Sequence, residues 1–248
     1  MEKKLNYLIG ILILILTWQI AALMINNEII LPTLISVTNR LKVILFTNGT
    51  YSIILITIKR LFYGLIISFI FAFVMSFCTN HFETLKEITT PFITILKAIP
   101  NVSIIIIVLI WFGSEKAVSV IPMLIIFPIF YEALTTGFDA IEIEYKEMTR
   151  IYSSNYLFNY FYIYLPLMKS YLVIACKNAL SLGMKVTVMA EVMTQVQIGI
   201  GKRIYMEKLN LDMASVIAWT LIIIVLLAVF EFGLNILFRE RKIKEDVN

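Results

Sequence analysis

The chain has 248 residues, of which 60% are hydrophobic and 15% charged, with a formal net charge of +4 and a mean hydropathy of +0.90. So apolar a composition excludes an ordinary soluble domain and predicts an integral membrane protein, and the small, scattered positive charge excludes a nucleic-acid-binding surface. Two cysteines in apolar runs, Cys78 and Cys176, and a single histidine, His81, supply no disulfide framework, metal-ligand spacing or nucleophile–base pair, so no catalytic residue and no metal ligand is assigned.

After Met1-Glu2-Lys3-Lys4 an uncharged run covers 7–27, and about 20 apolar residues suffice to cross a bilayer. A signal-peptide core is shorter, about 7 to 15 residues, and precedes a small-x-small cleavage site that does not follow here. The run therefore reads as an uncleaved first span. Residues 28–60 are mixed, but Leu34, Val37, Leu41 and Ile44 recur at helical spacing, which predicts a helix lying along the membrane surface. Arg60 precedes a second span over 61–80, and a polar connection over 79–90 follows. A third span covers 91–112, interrupted by Lys97 and Pro100, and a fourth covers 117–136 with Pro122, Pro128 and Glu132 inside it. Prolines and charges at such depths call for packing against protein or water, not lipid.

The stretch 139–164 breaks the apolar pattern. Ile141, Tyr145, Met148 and Tyr152 fall on one helical face, with Glu142, Lys146, Glu147 and Arg150 elsewhere, the mark of a short amphipathic helix. Glu142 with Lys146 and Glu147 with Arg150 have the i,i+4 and i,i+3 spacings of helical ion pairs. Ser153, Ser154 and Asn155 end the period, a run of Tyr and Phe follows, and Leu165-Pro166 opens a fifth span over 165–195. That span carries Lys177, Lys185 and Glu191. An ionisable group costs about 3 kcal/mol at a span centre, so these face a path or a partner; Lys97, Lys177 and Lys185 are the candidate partners of Glu191. A sixth span covers 213–238 and ends in the basic tail Arg239, Arg241, Lys242 and Lys244. Six spans put both termini on one side, and that tail together with Lys3 and Lys4 places them, and the elbow between spans four and five, in the cytoplasm.

Glu147-Met148-Thr149, three residues, Ser153, nine residues, Ile163, one residue and Leu165-Pro166 together resemble the EAA loop (EAA, x3, G, x9, I, x, LP) of permease subunits of ATP-binding-cassette importers. Glu147, Ile163, Leu165 and Pro166 match; Met148 and Thr149 stand for the two alanines and Ser153 for the glycine. Further along, Leu31-Pro32, Ile99-Pro100 through Trp111-Phe112-Gly113, Phe127-Pro128-Ile129 with Gly137, Lys177 and Lys185 with Ala190-Glu191, and Gly199-Ile200-Gly201 with Asp212 resemble the six-span permeases of the nitrate, sulfonate, taurine and pyrimidine-precursor importers.

The resemblance implies an all-α, polytopic membrane fold of the type I importer permeases. It implies one permease domain over 1–248 with a cytoplasmic coupling helix, in a bacterial plasma membrane. It also implies a homodimer of such subunits in the lipid bilayer, ATPase subunits beneath it and an extracytoplasmic substrate-binding protein. The ATPase, not this chain, would bind ATP and Mg, and this chain would be no enzyme and carry no cofactor. The coupling set would be Glu147, Met148, Thr149, Arg150, Tyr152, Ser153, Ile163, Leu165 and Pro166. The translocation path would draw on Lys97, Pro100, Glu132, Lys177, Lys185 and Glu191. Gly201-Lys202 is the nearest thing to a phosphate loop, but Arg203 follows where Ser or Thr is needed and Val196 stands where the first glycine is needed. The excess of lysine over acid in the candidate path favours a small anionic cargo such as a sulfonate. The competing reading is a self-sufficient secondary transporter or channel, which would more often show internal repeats, and none is found here.

Overall fold

The computed structural model describes residues 2–152 and 155–238, and every regular element among them is helical. In chain order these are α1 (Glu2–Ile25), α2 (Leu34–Phe46), α3 (Thr50–His81), α4 (Glu83–Ala98), α5 (Asn101–Phe112), α6 (Ser114–Asp139), α7 (Ile143–Tyr152) and α8 (Tyr156–Asn159). A π-helical turn (Tyr160–Tyr164) leads into α9 (Leu165–Leu167), and α10 (Lys169–Thr194), α11 (Ile200–Leu209) and α12 (Met213–Leu237) complete the series.

The centre of the bundle is built by small residues. Along α3 the buried positions are Thr50, Ile53, Thr57, Leu61, Gly64, Ser68, Ala72, Ser76 and Thr79, a stripe at i,i+3/i+4 spacing that is mostly small or hydroxylated. Such a stripe lets helix backbones approach closely where apolar lipid gives no hydrophobic drive for association. The neighbour is α6, its most extensive pairing: a Cβ on Gly64 would stand 2.8 Å from that of Pro122, and Ser68 donates to the Met123 carbonyl at 3.1 Å. On the other side of α6, Gly183 of α10 admits Ile126 in the same way, with a Cβ there only 2.7 Å from Ile126 Cδ1. Residues Ile126, Phe130, Leu134, Ala175 and Ala179 close this α6–α10 seam.

Several boundaries depart from the sequence expectations. The second span begins at Thr50, not 61, with Lys59 and Arg60 inside the helix, because the buried stripe runs unbroken through Thr57 and Leu61. The polar connection over 79–90 is helical on either side of Phe82. The third span, 91–112, is two helices meeting at 98°. The cause is Pro100, which has no N–H to donate back along the helix and excludes Ile99 from helical geometry; Ile99 is extended, with φ −67° and ψ 127°. Gly113, at φ 71°, then turns α5 into α6 in the left-handed region that glycine enters freely.

Among the described residues four helices, α3, α6, α10 and α12, are long and apolar enough to cross a membrane, or five crossings if the bent α4–α5 pair makes one. The apolar part of α1, Ile9–Ile25, is shorter. Its side chains meet the segment that follows through Trp18 Nε1, which donates to the Pro32 carbonyl at 3.0 Å, and Gln19 Oε1, which accepts the Leu34 amide at 3.1 Å. The expected helix at Leu34–Phe46 is present and packs on α12, with Leu41, Ile44 and Leu45 against a core that includes Trp219 and Ile222.

Candidate functional site

Glu115 and Asp139 mark opposite ends of α6, about 36 Å apart at 1.5 Å rise per residue, and each end of the bundle carries a distinct polar construction. At the Asp139 end lies the elbow. Thr149 is buried and its hydroxyl donates to the Lys146 carbonyl at 2.8 Å, so in the 2.5 Å contact with Tyr164 the phenol is the donor. Tyr164, Tyr160 and Met168 are buried with Ile141 in one cluster, and Phe73 and Phe77 of α3 meet Tyr160 edge to face at 5.5 and 5.1 Å. Burial pushes the Tyr156 phenol well above its ordinary range, with Tyr160 and Tyr164 adding to the effect. The π turn fits Pro166: its ring would collide with the Tyr162 carbonyl in a regular α-helix, and the wider turn, closed by the Leu165 amide on the Tyr160 carbonyl, relieves that contact.

The outer side of α7 is different. Glu147 is exposed, and Tyr145, Met148 and Ile151 present apolar surface, Ile151 at 78% exposure. Tyr145 and Met148 share an exposed face as the period predicts, but Ile141 precedes the helix and is buried instead. Lys146 sits over the Phe138 ring at 4.7 Å, where the spacing predicted a pair with Glu142. Burial lowers its pKa, the charge of Asp139 opposes the shift and Lys86 adds to it. Ile163 and Leu165 are half-buried and Pro166 is exposed. Ser153 and the side chains of Arg150 and Tyr152 lie outside the described residues, as do Arg239, Arg241, Lys242, Lys244 and the side chains of Lys3 and Lys4.

At the Glu115 end a clasp forms around Glu191, which is 0% exposed. Its carboxylate accepts from Thr57 Oγ1 at 2.9 and 3.1 Å, from Arg60 Nη1 at 2.8 Å and from the Gly201 amide at 2.8 Å. Arg60 also donates to the Ile198 carbonyl at 2.7 Å and to Glu115 at 2.9 Å, and Glu115 accepts the Gln197 amide at 2.8 Å. Thr57 in turn accepts the Ile200 amide at 3.0 Å. Gly199 and Gly201 are required by contact: a Cβ on Gly199 would lie 2.5 Å from the Glu191 carboxyl carbon, and one on Gly201 would strike the Val188 carbonyl. The partner of Glu191 is thus Arg60, not Lys97, Lys177 or Lys185, and Glu191 is enclosed instead of lining a path. Arg60, Thr57 and Glu115 escape a hydropathy reading, which starts the span after Arg60; the uninterrupted stripe from Thr50 to Thr79 is the sequence signal that reaches Thr57 and Arg60.

The remaining candidate path residues divide. Lys97, in the last turn of α4, meets Glu132 of α6 at 2.6 Å with both side chains about half exposed. A second clamp from the same helix, Lys86, holds both oxygens of Asp139 at 2.8 and 2.7 Å. Pro100 is exposed at the α4–α5 bend. Lys177 is part-buried and Lys185 exposed, and neither is in an ion pair among the described residues. Tyr171, Asn178 and Lys185 recur at seven-residue steps along α10, with Ile174 and Leu182 between them; Tyr171 and Asn178 line a cleft of about 370 Å³ between α6 and α10, and Lys185 lies two turns beyond it toward the clasp end. Among the described residues no group of three or more His, Cys, Asp and Glu could hold a metal ion.

Apolar spanning helices, a charged clasp sealed inside them and an amphipathic elbow docked at one end define a multi-pass membrane protein built to hold polar groups at membrane depth. The family described as binding-protein-dependent transport system inner membrane component matches residues 64–243, and the chain belongs to that family: it is a permease component of a transport system that works with an ATPase and a binding protein. No curated protein matches the chain.

Proposed function

We propose that this chain is the permease subunit of an ATP-driven importer, paired with a second copy of itself and coupled through α7 to a separate ATPase. The observation that carries the reading is the two-sided construction of the elbow. Its inner side is fixed to the bundle by Thr149 and Tyr164, and its outer side presents Glu147 with Met148 and Ile151 to solvent. A short helix held on one side and free on the other transmits a partner's movement as rigid-body rocking of the helices behind it.

With α1 and the bent α4–α5 pair each counted as a crossing, the chain has six spans, and the elbow lies on the cytoplasmic side with both termini, in a bacterial plasma membrane. ATP and Mg belong to the partner ATPase; this chain performs no catalysis and needs no cofactor of its own. The α6–α10 face with Glu132 and Lys185, together with Lys97 of α4, lines the path, and the cargo is a small polar solute of the sulfonate, nitrate, taurine or pyrimidine-precursor kind, delivered by the binding protein. The test is Glu147→Lys and Met148→Asp, each introduced singly. Both variants are expected to insert normally, to lose the ATPase on purification and to abolish uptake; ATP-coupled uptake at the wild-type rate in both sinks the coupling role.

A further inference from the structure

The cleft between α6 and α10 mixes polar with apolar lining, whereas the groove lined by Phe62, Phe69, Leu180 and Phe230 is almost wholly apolar. Glu132, Thr136, Tyr171 and Asn178 line the α6–α10 cleft alongside Ile129 and Ile174. Oε1 of Glu132 is committed to Lys97, but its other oxygen, the Thr136 hydroxyl, the Tyr171 phenol and the Asn178 carboxamide have no hydrogen-bond partner among the described residues. Groups of this kind on spanning helices need water or a ligand.

The Lys97–Glu132 pair decides which ligand. A simple anion at Lys97 would also face the Glu132 carboxylate, and a simple cation at Glu132 would also face the lysine, so each would meet a like charge beside its counter-charge. A small solute carrying an ammonium at one end and an acid group at the other offers each side chain an opposite charge at once. The carboxamide of Asn178 and the hydroxyl of Thr136 supply both donors and acceptors for what remains of it. We propose that the cleft is a solute subsite selective for small zwitterions, at which the Lys97–Glu132 pair opens and each member takes the opposite end of the solute. This rests on the reading that the α6–α10 face lines the path.

The test uses the purified permease–ATPase complex in lipid nanodiscs and equilibrium binding of radiolabelled β-alanine, propionate and ethylamine, the last two each lacking one charged end of the first. Saturable β-alanine binding, at least about tenfold tighter than either single-ended compound, is expected in the wild-type complex. It is expected to be lost in Glu132→Gln and in Lys97→Met, and recovered in the charge-reversed double variant Lys97→Glu with Glu132→Lys, which keeps the pair. Equal binding of the three compounds, no saturable β-alanine binding, undiminished binding in both single variants, or no recovery in the double variant overturns the subsite. Failure of the chain to co-purify with any ATPase overturns the proposed coupling, and with it the path on which the subsite lies.

Discussion

Glu191 shows how one residue joins elements that are distant in sequence. It stands on α10, yet its carboxylate is satisfied by Thr57 and Arg60 of α3 and by the Gly201 amide at the start of α11. Removing one member of a buried ion pair strands the other, at about 3 to 5 kcal/mol. Glu191→Ala and Arg60→Met are therefore expected to lower the melting temperature of the detergent-purified protein sharply and by similar amounts, with the double variant little worse than either single one. Additive losses would show that the two side chains do not depend on each other. Gly201→Ala addresses the same clasp from the backbone side: its methyl group would strike the Val188 carbonyl, and overpacking of this kind costs about 1 to 3 kcal/mol. A melting temperature equal to wild type would mean that the α10–α11 connection is looser than the contact requires. Gln195, in the left-handed region at φ 49°, is held just before this connection. Such strain persists where surrounding contacts over-determine the backbone. The importance of Glu191 was legible from the sequence, since a carboxylate in a span needs a partner. Its partner was not, because pairing across 131 positions leaves no local signature.

At the scale of elements, the elbow was the most legible part of the chain, and the reason is physical: an amphipathic period and a change of composition are local. What periodicity left open was which side of α7 faces in. Thr149, which looks like a neutral surface residue, is the anchor, while Met148 points out. Thr149→Val and Tyr164→Phe each remove one partner of the same hydrogen bond, worth about 1 kcal/mol. Both are expected to raise hydrogen exchange across α7 and to weaken the coupling of ATP hydrolysis to uptake, with no further loss in the double variant. A double variant worse than the sum would place the two hydroxyls in separate roles. Lys146 gives the elbow a pH dependence of defined sign. Its pKa is lower in the folded elbow than the ordinary 10.5, so between the lowered value and 10.5 the unfolded segment binds more protons. Stability of α7 then rises with pH across that window, a slope that Lys146→Met is expected to remove when protection of α7 amides is followed against pH. The α4–α5 bend shows the opposite case. Hydropathy reads 91–112 as one span because both halves are apolar, and the turn of 98° falls where Pro100 holds Ile99 out of helical geometry.

For the whole molecule, composition established the solvent and the helical fold class, and the spanning helices α6, α10 and α12 followed in order from hydropathy; the tertiary arrangement did not, because lipid-facing and protein-facing surfaces are both apolar and the distinction lies in small residues such as Gly64, Ser68 and Gly183. The same difficulty attends Lys185, which the sequence places in a span without saying what it faces. It shares an α10 face with Asn178 and Tyr171 and is exposed, whereas Ile66 of α3 and Val225 of α12 are exposed on apolar surfaces. A lysine facing lipid would have to reach an interface or be lost to protonation equilibria, but one facing a water-filled path between two copies needs neither. Single cysteines at positions 185, 66 and 225, introduced after replacing Cys78 and Cys176 by alanine, separate the two cases in assembled complexes. A water-soluble maleimide is expected to label Lys185→Cys and to leave Ile66→Cys and Val225→Cys unmodified, because thiolate attack requires hydration of the sulfur. If the proposed coupling holds, labelling at 185 should also fall when the complex is locked by a non-hydrolysable nucleotide. Equal resistance at all three positions would put Lys185 in lipid and remove this α10 face from the path, leaving the clasp and the elbow as constructions of the fold with no aqueous route between them.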